Sequence, residues 1–165
     1  MSTLIQIVDA QDQVIGHKLR SEVEKEDIYR VAGMWIFNEK GEVLLARRSR
    51  TKRHDPGKWG PSVAGTLEEG ETYESNILKE AQEELGVTLS EVQATAHIFV
   101  ELEYAFFAQW FTAKVLSTTK FTLQEEEVEE VMWFQPDQLA SLLETSPLEF
   151  LPQMRLYLDT IPDPE

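Results

Sequence analysis

Alternating apolar and polar positions, interrupted by short polar clusters, organise the first half of the chain. Leu4 to Val8 and Val14 to Lys18 are β-rich runs on either side of Asp9-Ala-Gln-Asp-Gln13, the pattern of a short hairpin. Tyr29 to Phe37 and Glu42 to Ala46 repeat that pattern around Asn38-Glu-Lys-Gly41, a turn in which Gly41 supplies the positive φ. Trp59 to Gly65 reads as extended again. From Thr72 to Leu85 the period becomes helical, with Glu74 suited to the positive N-terminal end and Gly86 placed to stop the helix. Strand material rich in aromatics fills Ile98 to Val115, and Val131 to Phe134 adds a shorter run. Helices are expected at about 136–158. There, Ser146-Pro-Leu-Glu149 has the form of a capping box with Pro at the first helical position, and Pro152 either kinks the helix or delays its start.

No repeat, low-complexity stretch or Gly/Ser linker divides the chain, so residues 1–165 are expected to form one domain with an N-terminal hairpin. The mixture of strands and helices predicts an α/β or α+β sandwich. Zero cysteines exclude disulfides, thiolate catalysis and Cys-bound zinc. No basic segment followed by an apolar stretch opens the chain, and no run approaches the roughly 20 apolar residues needed to cross a bilayer. A cytoplasmic protein without a membrane partner is therefore expected.

Thirty acidic against fifteen basic residues give a formal charge of −15, which repels nucleic acid polymers and anionic lipid and draws divalent cations. One segment reverses that sign. Arg47-Arg-Ser-Arg-Thr-Lys-Arg-His-Asp-Pro-Gly-Lys58 reads as a loop and holds six of the fifteen basic residues. Arg47, Arg48, Arg50, Lys52 and Arg53 are the candidates for contact with a substrate phosphate.

On a helical wheel Glu80, Glu83 and Glu84 share one face, while Ile77, Leu78, Ala81 and Leu85 form the adjoining apolar one. Like charges at i, i+4 oppose a helix by roughly 0.2–0.5 kcal/mol per pair, so three carboxylates beside a buried stripe invite a compensating cation. Hard oxygen donors suit Mg²⁺ or Mn²⁺. A plain solvated acidic face is the competing reading.

The upstream spacing favours the cation. Gly65-Thr-Leu-Glu-Glu-Gly-Glu71 followed by Lys79-Glu-Ala-Gln-Glu-Glu-Leu-Gly-Val87 resembles the Nudix box, G-x5-E-x7-R-E-U-x-E-E-x-G-U with U apolar. Eight of nine specified positions fit, and the family's Arg is Lys79 here. The resemblance implies an α/β/α sandwich with a mixed sheet and metal-dependent attack of water on a substituted diphosphate. It implies Glu80, Glu83 and Glu84 as metal ligands, helped by a backbone carbonyl near Ala64 or Gly65, with Glu83 and Glu84 also catalytic. Glu71 and Lys79 would brace the loop, although Lys79 lacks the planar fork of Arg. The substrate would be a small-molecule diphosphate, with nucleoside diphosphate derivatives as the leading class, and the protein a monomer or homodimer.

For a general base, Glu101 and Glu103 lie two apart in a strand-like run amid Phe99, Phe106 and Phe107, and Glu103 is the choice. Glu125-Glu-Glu127 is the competing source. Gly65-x4-Gly70-Glu71-Thr72 misses the phosphate-gripping G-x4-G-K-[ST] loop, because Glu71 stands where the Lys belongs.

Type I isopentenyl diphosphate isomerases are a rival within the same fold. Asp9 to Gly16, Trp35 to Asn38, Arg47 to Ser49, Trp59 to Gly65 and Val100 to Glu103 are similar to segments of that family. Its acid/base cysteine would fall at Ala64, and its metal-binding histidines near Tyr29 and at Thr66, so the expectation is a hydrolase on an isomerase-like frame. A module that binds a nucleotide without turning it over is the alternative of a different class, supported by the departure at Lys79. His17, His54 and His97 lack zinc spacing and receive no role, and Trp35, Trp59, Trp110 and Trp133 read as core before base-stacking platforms.

Overall fold

A computed structural model describes residues 3–163; the outermost positions of the expected 1–165 domain lie outside the described residues. The expected N-terminal hairpin is formed by β1 (Leu4–Val8) and β2 (Val14–Leu19). The second hairpin joins β3 (Ile28–Phe37) to β4 (Val43–Arg48). There follow β5 (Trp59–Gly60), β6 (Val63–Thr66) and helix α1 (Tyr73–Leu85). Strands β7 (Gln93–Glu101), β8 (Ala105–Lys114) and β9 (Val128–Phe134) precede α2 (Pro136–Thr145) and α3 (Met154–Tyr157).

The sheet is mixed and centred on β3. Strand β8 runs parallel along one edge of β3, from Ile28↔Ala105 to Phe37↔Lys114. The opposite edge is shared by β1 at Tyr29 and Ile28, by β6 from Val31↔Thr66 to Met34↔Val63, and by β4 at Phe37↔Val43 alone. From that single pair β4 diverges to join β9 and β5. Buried Ser62 stitches the split: its Oγ accepts the Ile36 N–H at 2.8 Å and its hydroxyl donates to the Leu44 carbonyl at 2.5 Å.

Strand periodicity sorts the core into two layers. Ala32, Met34 and Ile36 pack against Ile77, Ala81 and Leu85 of α1. Trp35, Val43, Leu45 and Trp110 pack against Leu139 and Leu143 of α2 and Met154 and Tyr157 of α3. This is an α/β/α sandwich of the α+β class. Trp35 and Trp110 stack at 5.1 Å inside the second layer, and the Trp35 indole N–H donates to Thr160 Oγ1 at 2.8 Å, so both are core as expected. Among the described residues no helix is long and apolar enough to cross a membrane.

Three expectations need correction. The strand-like run expected to carry both Glu101 and Glu103 ends at Glu101: the chain breaks at Leu102–Tyr104, a turn closed by the Leu102 N–H on the Tyr104 carbonyl at 3.2 Å. Strand β4 extends through Arg47 and Arg48, pairing them with Glu130 and Val128 of β9, so these two leave the basic loop. Ser146 makes no capping bond, and its segment closes only one 3₁₀ turn, Pro147–Glu149, before Pro152; α3 starts beyond that proline.

Candidate active site

Helix α1 begins with a reciprocal cap, Thr72 Oγ1 accepting the Ser75 N–H at 3.0 Å and Ser75 Oγ accepting the Thr72 N–H at 2.9 Å. It ends at Gly86, whose φ of 67° closes the last turn in the left-handed region. Complete burial of Ile77 and Leu85, worth roughly 1.5–3 kcal/mol each, fixes the rotation of the helix and so the direction of its acidic face.

Glu80 points back against β6. A Cβ on Gly65 would stand 2.6 Å from Glu80 Cγ and 2.8 Å from Asn76 Oδ1, so only glycine admits this approach. Burial pushes the Glu80 carboxyl up to about 7, and the charges of Glu83, Glu71 and Glu68 add to a rise that Lys79 opposes. Glu84 is pushed up to about 8, first by burial and then by Glu80 and Glu127, against the pull of Lys52 and Arg48. Glu83 is exposed on the rim.

Among the described residues no three carboxylates or imidazoles form a preformed ligand cluster, so Glu80, Glu83 and Glu84 are not drawn together as a closed triad. The donor set nevertheless fits a hard divalent cation. Two desolvated carboxylates repel each other on one helix face, and buried Asn76 Oδ1 beneath Gly65 has no hydrogen-bond partner. Glu80 and Glu84 are the residues able to hold such an ion, with Glu83 at the margin.

Beside this pair, the loop before α1 is locked by charge. Lys79 Nζ lies 2.7 Å from Glu71 Oε2, 3.3 Å from Glu68 Oε2 and 3.7 Å from Glu80 Oε1. Glu71 Oε1 also accepts the Glu68 N–H at 2.7 Å and the Asn76 amide at 3.1 Å. Burial works against the Glu71 charge, yet Lys79, the Glu68 N–H and Asn76 together hold its carboxyl below the usual range. The missing Arg fork is thus replaced by one ammonium shared among three acids.

The basic candidates separate. Arg48 and Lys52 stand close enough to Glu84 to bias its charge, and Lys52 pairs with Glu127 at 2.5 Å. Arg48 also holds the loop, donating to the His54 carbonyl at 3.0 and 3.1 Å. Arg47 faces the other layer, its guanidinium 5.9 Å from the Trp59 ring centre and its Nε donating to the Gly57 carbonyl at 3.1 Å. Arg50 is mostly exposed, 3.5 Å from Glu129, and Arg53 is exposed without an ion pair among the described residues.

The surroundings read for Glu103 are corrected: it sits in the β7–β8 turn, exposed, as is Glu101, so neither carries the desolvation inferred from the neighbouring aromatics. The acidic run contributes instead. The Gln124 N–H donates to the Glu84 carbonyl at 3.0 Å, the Glu127 N–H to the Gln124 carbonyl at 2.8 Å, and the Ser49 N–H to the Glu127 carbonyl at 3.0 Å, which hangs Glu127 beside Glu84. Asn76 escaped the sequence reading altogether, although an Asn inside a helix next to the apolar stripe is itself a signal.

The sequence model described as the NUDIX domain matches residues 28–154. An uncharacterized Nudix hydrolase of Listeria innocua is 33% identical over 126 residues, which span 76% of this chain and 73% of its own. An isopentenyl-diphosphate Delta-isomerase of Klebsiella pneumoniae is 29% identical over 162 residues, 91% of this chain and 85% of its own. A solved protein of Deinococcus radiodurans superposes with a TM-score of 0.80 over 96% of this chain and 99% of its own, at 22% identity, a likeness of fold. The box carboxylates lie inside the matched region, and the chain belongs to the Nudix family as a Nudix hydrolase.

Proposed function

We propose that the protein hydrolyses a diphosphate linkage in a small molecule, a nucleoside diphosphate derivative being the leading class, with Mg²⁺ or Mn²⁺ held by Glu80 and Glu84. The carrying observation is the pair itself: two desolvated carboxylates on one helix face, with Glu84 given no ion-pair partner among the described residues. Family membership supports the same chemistry at the coarser level of nucleoside diphosphate derivatives.

A bound divalent ion offsets phosphate charge and makes water more acidic. The chain's own groups do the rest. Arg48 and Lys52 offset the charge of the arriving diphosphate on the side facing Glu84. Glu127 is the base in this reading: Lys52 occupies Oε2, leaving Oε1 free to take a proton from the attacking water. The water oxygen bonds to phosphorus, the bridging P–O bond breaks, and the proton passes to solvent or the departing phosphate. Glu71 and Lys79 keep the loop in register with α1.

An isomerase reading has its support in the Klebsiella pneumoniae relative, but Ala64 stands where the resemblance places that family's cysteine and offers no proton. The test is incubation of purified protein with a panel of nucleoside diphosphate compounds and with isopentenyl diphosphate, each with and without Mg²⁺. Metal-dependent phosphorus-containing products support hydrolysis. Tight binding with no product, or conversion of isopentenyl diphosphate alone, overturns it.

A further inference from the structure

Gln6 lies on β1, before the first residue that the family model matches, and is 3% exposed. Its amide nitrogen donates to the Glu68 carbonyl at 2.8 Å and the Glu71 carbonyl at 2.7 Å, and its backbone N–H donates to the Leu67 carbonyl at 3.1 Å. Its Oε1 accepts from Arg30 Nη1 at 3.0 Å. A flipped amide would set oxygen against two carbonyls and NH₂ against a guanidinium, so these partners admit one orientation.

Arg30 is itself held. Its Nε lies 2.7 Å from Asp12 Oδ1, its Nη2 donates to the Asp12 carbonyl at 2.5 Å, and its guanidinium sits 5.1 Å from the Tyr73 ring centre. Asp12 Oδ2 accepts the Tyr73 hydroxyl at 2.8 Å and lies 3.2 Å from His97 Nε2. Asp12 adopts a φ of 59°, a left-handed conformation for a residue with a side chain, at the tip of the β1–β2 hairpin. Four separate pieces of chain thus converge on a polar cluster whose Asp and Arg side chains are 15% and 17% exposed.

The cluster does more than pin the hairpin. Glu68 and Glu71, whose carbonyls Gln6 holds, are the residues whose carboxylates hold Lys79, and Lys79 lies 3.7 Å from Glu80. Glu71 also holds the Asn76 amide, leaving Asn76 Oδ1 beneath Gly65. The loop is clamped on one side by Gln6 and on the other by α1.

We infer that Gln6 is a positioning residue for the ion-holding carboxylates, acting through the Glu68–Glu71 loop, with Arg30 and Asp12 fixing its amide. The inference rests on the proposed metal role of Glu80 and Glu84. It adds the N-terminal hairpin to the catalytic apparatus without giving it contact with substrate. Groups one layer behind metal ligands typically set affinity by about 10- to 100-fold.

Gln6→Met keeps volume and removes both donors. Mn²⁺ binding is followed by electron paramagnetic resonance without substrate, and thermal melting is followed in EDTA. Expected are a cooperative melt and Mn²⁺ affinity weakened about 10- to 100-fold, with kcat restored at saturating metal. A lowered melting temperature with unchanged Mn²⁺ affinity makes Gln6 structural only and overturns the inference. If Gln6→Met does not fold, Asp12→Asn, which removes the charge holding Arg30, serves instead: weakened Mn²⁺ binding supports the inference and unchanged binding overturns it. Glu84→Gln is the control that separates the two readings. If that variant binds Mn²⁺ as tightly as the parent, the metal assignment itself fails; if it loses the ion while Gln6→Met keeps it, the positioning role alone fails.

Discussion

Gly65 and Glu80 touch so closely that a Cβ on the glycine would stand 2.6 Å from Glu80 Cγ. The strand and the carboxylate therefore cannot both keep their places in Gly65→Ala. Overpacking of this kind costs about 1–3 kcal/mol, and Glu80 must swing from β6. Expected are a stability loss in that range by urea denaturation and a weakened Mn²⁺ titration. Parent-like Mn²⁺ affinity would mean that Glu80 holds no ion here.

Glu84→Gln separates charge from shape. Above pH 8 the parent carries a buried, repelled carboxylate that the amide lacks. The variant is therefore expected to melt higher than the parent in EDTA at pH 8.5, and to gain less from Mg²⁺. Its metal-stimulated turnover should fall by more than the about 10- to 100-fold typical of groups behind the ligands. Unchanged turnover at saturating metal rejects its catalytic assignment.

Acidity follows from the same pair. With folded values of about 7 for Glu80 and about 8 for Glu84 against 4.5 for a free side chain, the folded state binds more protons than the unfolded between pH 4.5 and 8. Stability in EDTA then falls as pH rises through that window. Because metal and proton compete for the same oxygens, the stabilisation by Mg²⁺ grows over the same range. Chemical denaturation from pH 5 to 8.5, with and without Mg²⁺, reads both trends; a flat EDTA profile contradicts them.

What was legible in the chain was whatever local periodicity encodes. The helix from Thr72 to Gly86 shows its stripe, its acidic first turn and its stop in consecutive residues, and β3 and β4 show their turn at Gly41, whereas the Thr72–Ser75 cap emerges only in the structure. The turn at Leu102–Tyr104 contains no Gly, Pro, Asn or Asp, so the flanking aromatics read through it. Arg47 and Arg48 looked like loop because the acidic Glu130 that one of them faces lies on a strand far along the chain. Contacts that assemble Asp12 with Arg30 and Tyr73 span 18 and 61 residues, beyond any window in which spacing carries meaning.

Lys79 supplies one ammonium to three acids where the family pattern has a fork. Lys79→Arg keeps the charge and adds a bidentate option toward Glu71, so its stability should stay within about 1 kcal/mol of the parent with turnover intact. Lys79→Met strands the partly buried Glu71, at a cost of about 1–3 kcal/mol, and weakens Mn²⁺ binding as the loop loosens. Paired urea denaturation and Mn²⁺ titration on both variants check this. A Met variant as stable as the parent would show that the Glu68 N–H and Asn76 suffice for Glu71.

The choice of base reduces to two glutamates in different places. Ala105 pairs with Ile28 and Gly65 with Ala32, four residues further along β3, so the turn bearing Glu103 begins about 13 Å from Gly65 along the strand direction. Glu103 is exposed there, whereas Glu127 acts on Glu84 and shares Lys52. Glu103→Gln should leave kcat within about twofold, the variation expected of an exposed site away from the chemistry. Glu127→Gln should lower kcat by about 10²- to 10⁴-fold while leaving Mn²⁺ bound. Should Glu127→Gln release the ion as well, Glu127 is a ligand and the proton goes elsewhere; should Glu103→Gln abolish turnover, the β7–β8 turn must fold over the site when substrate binds.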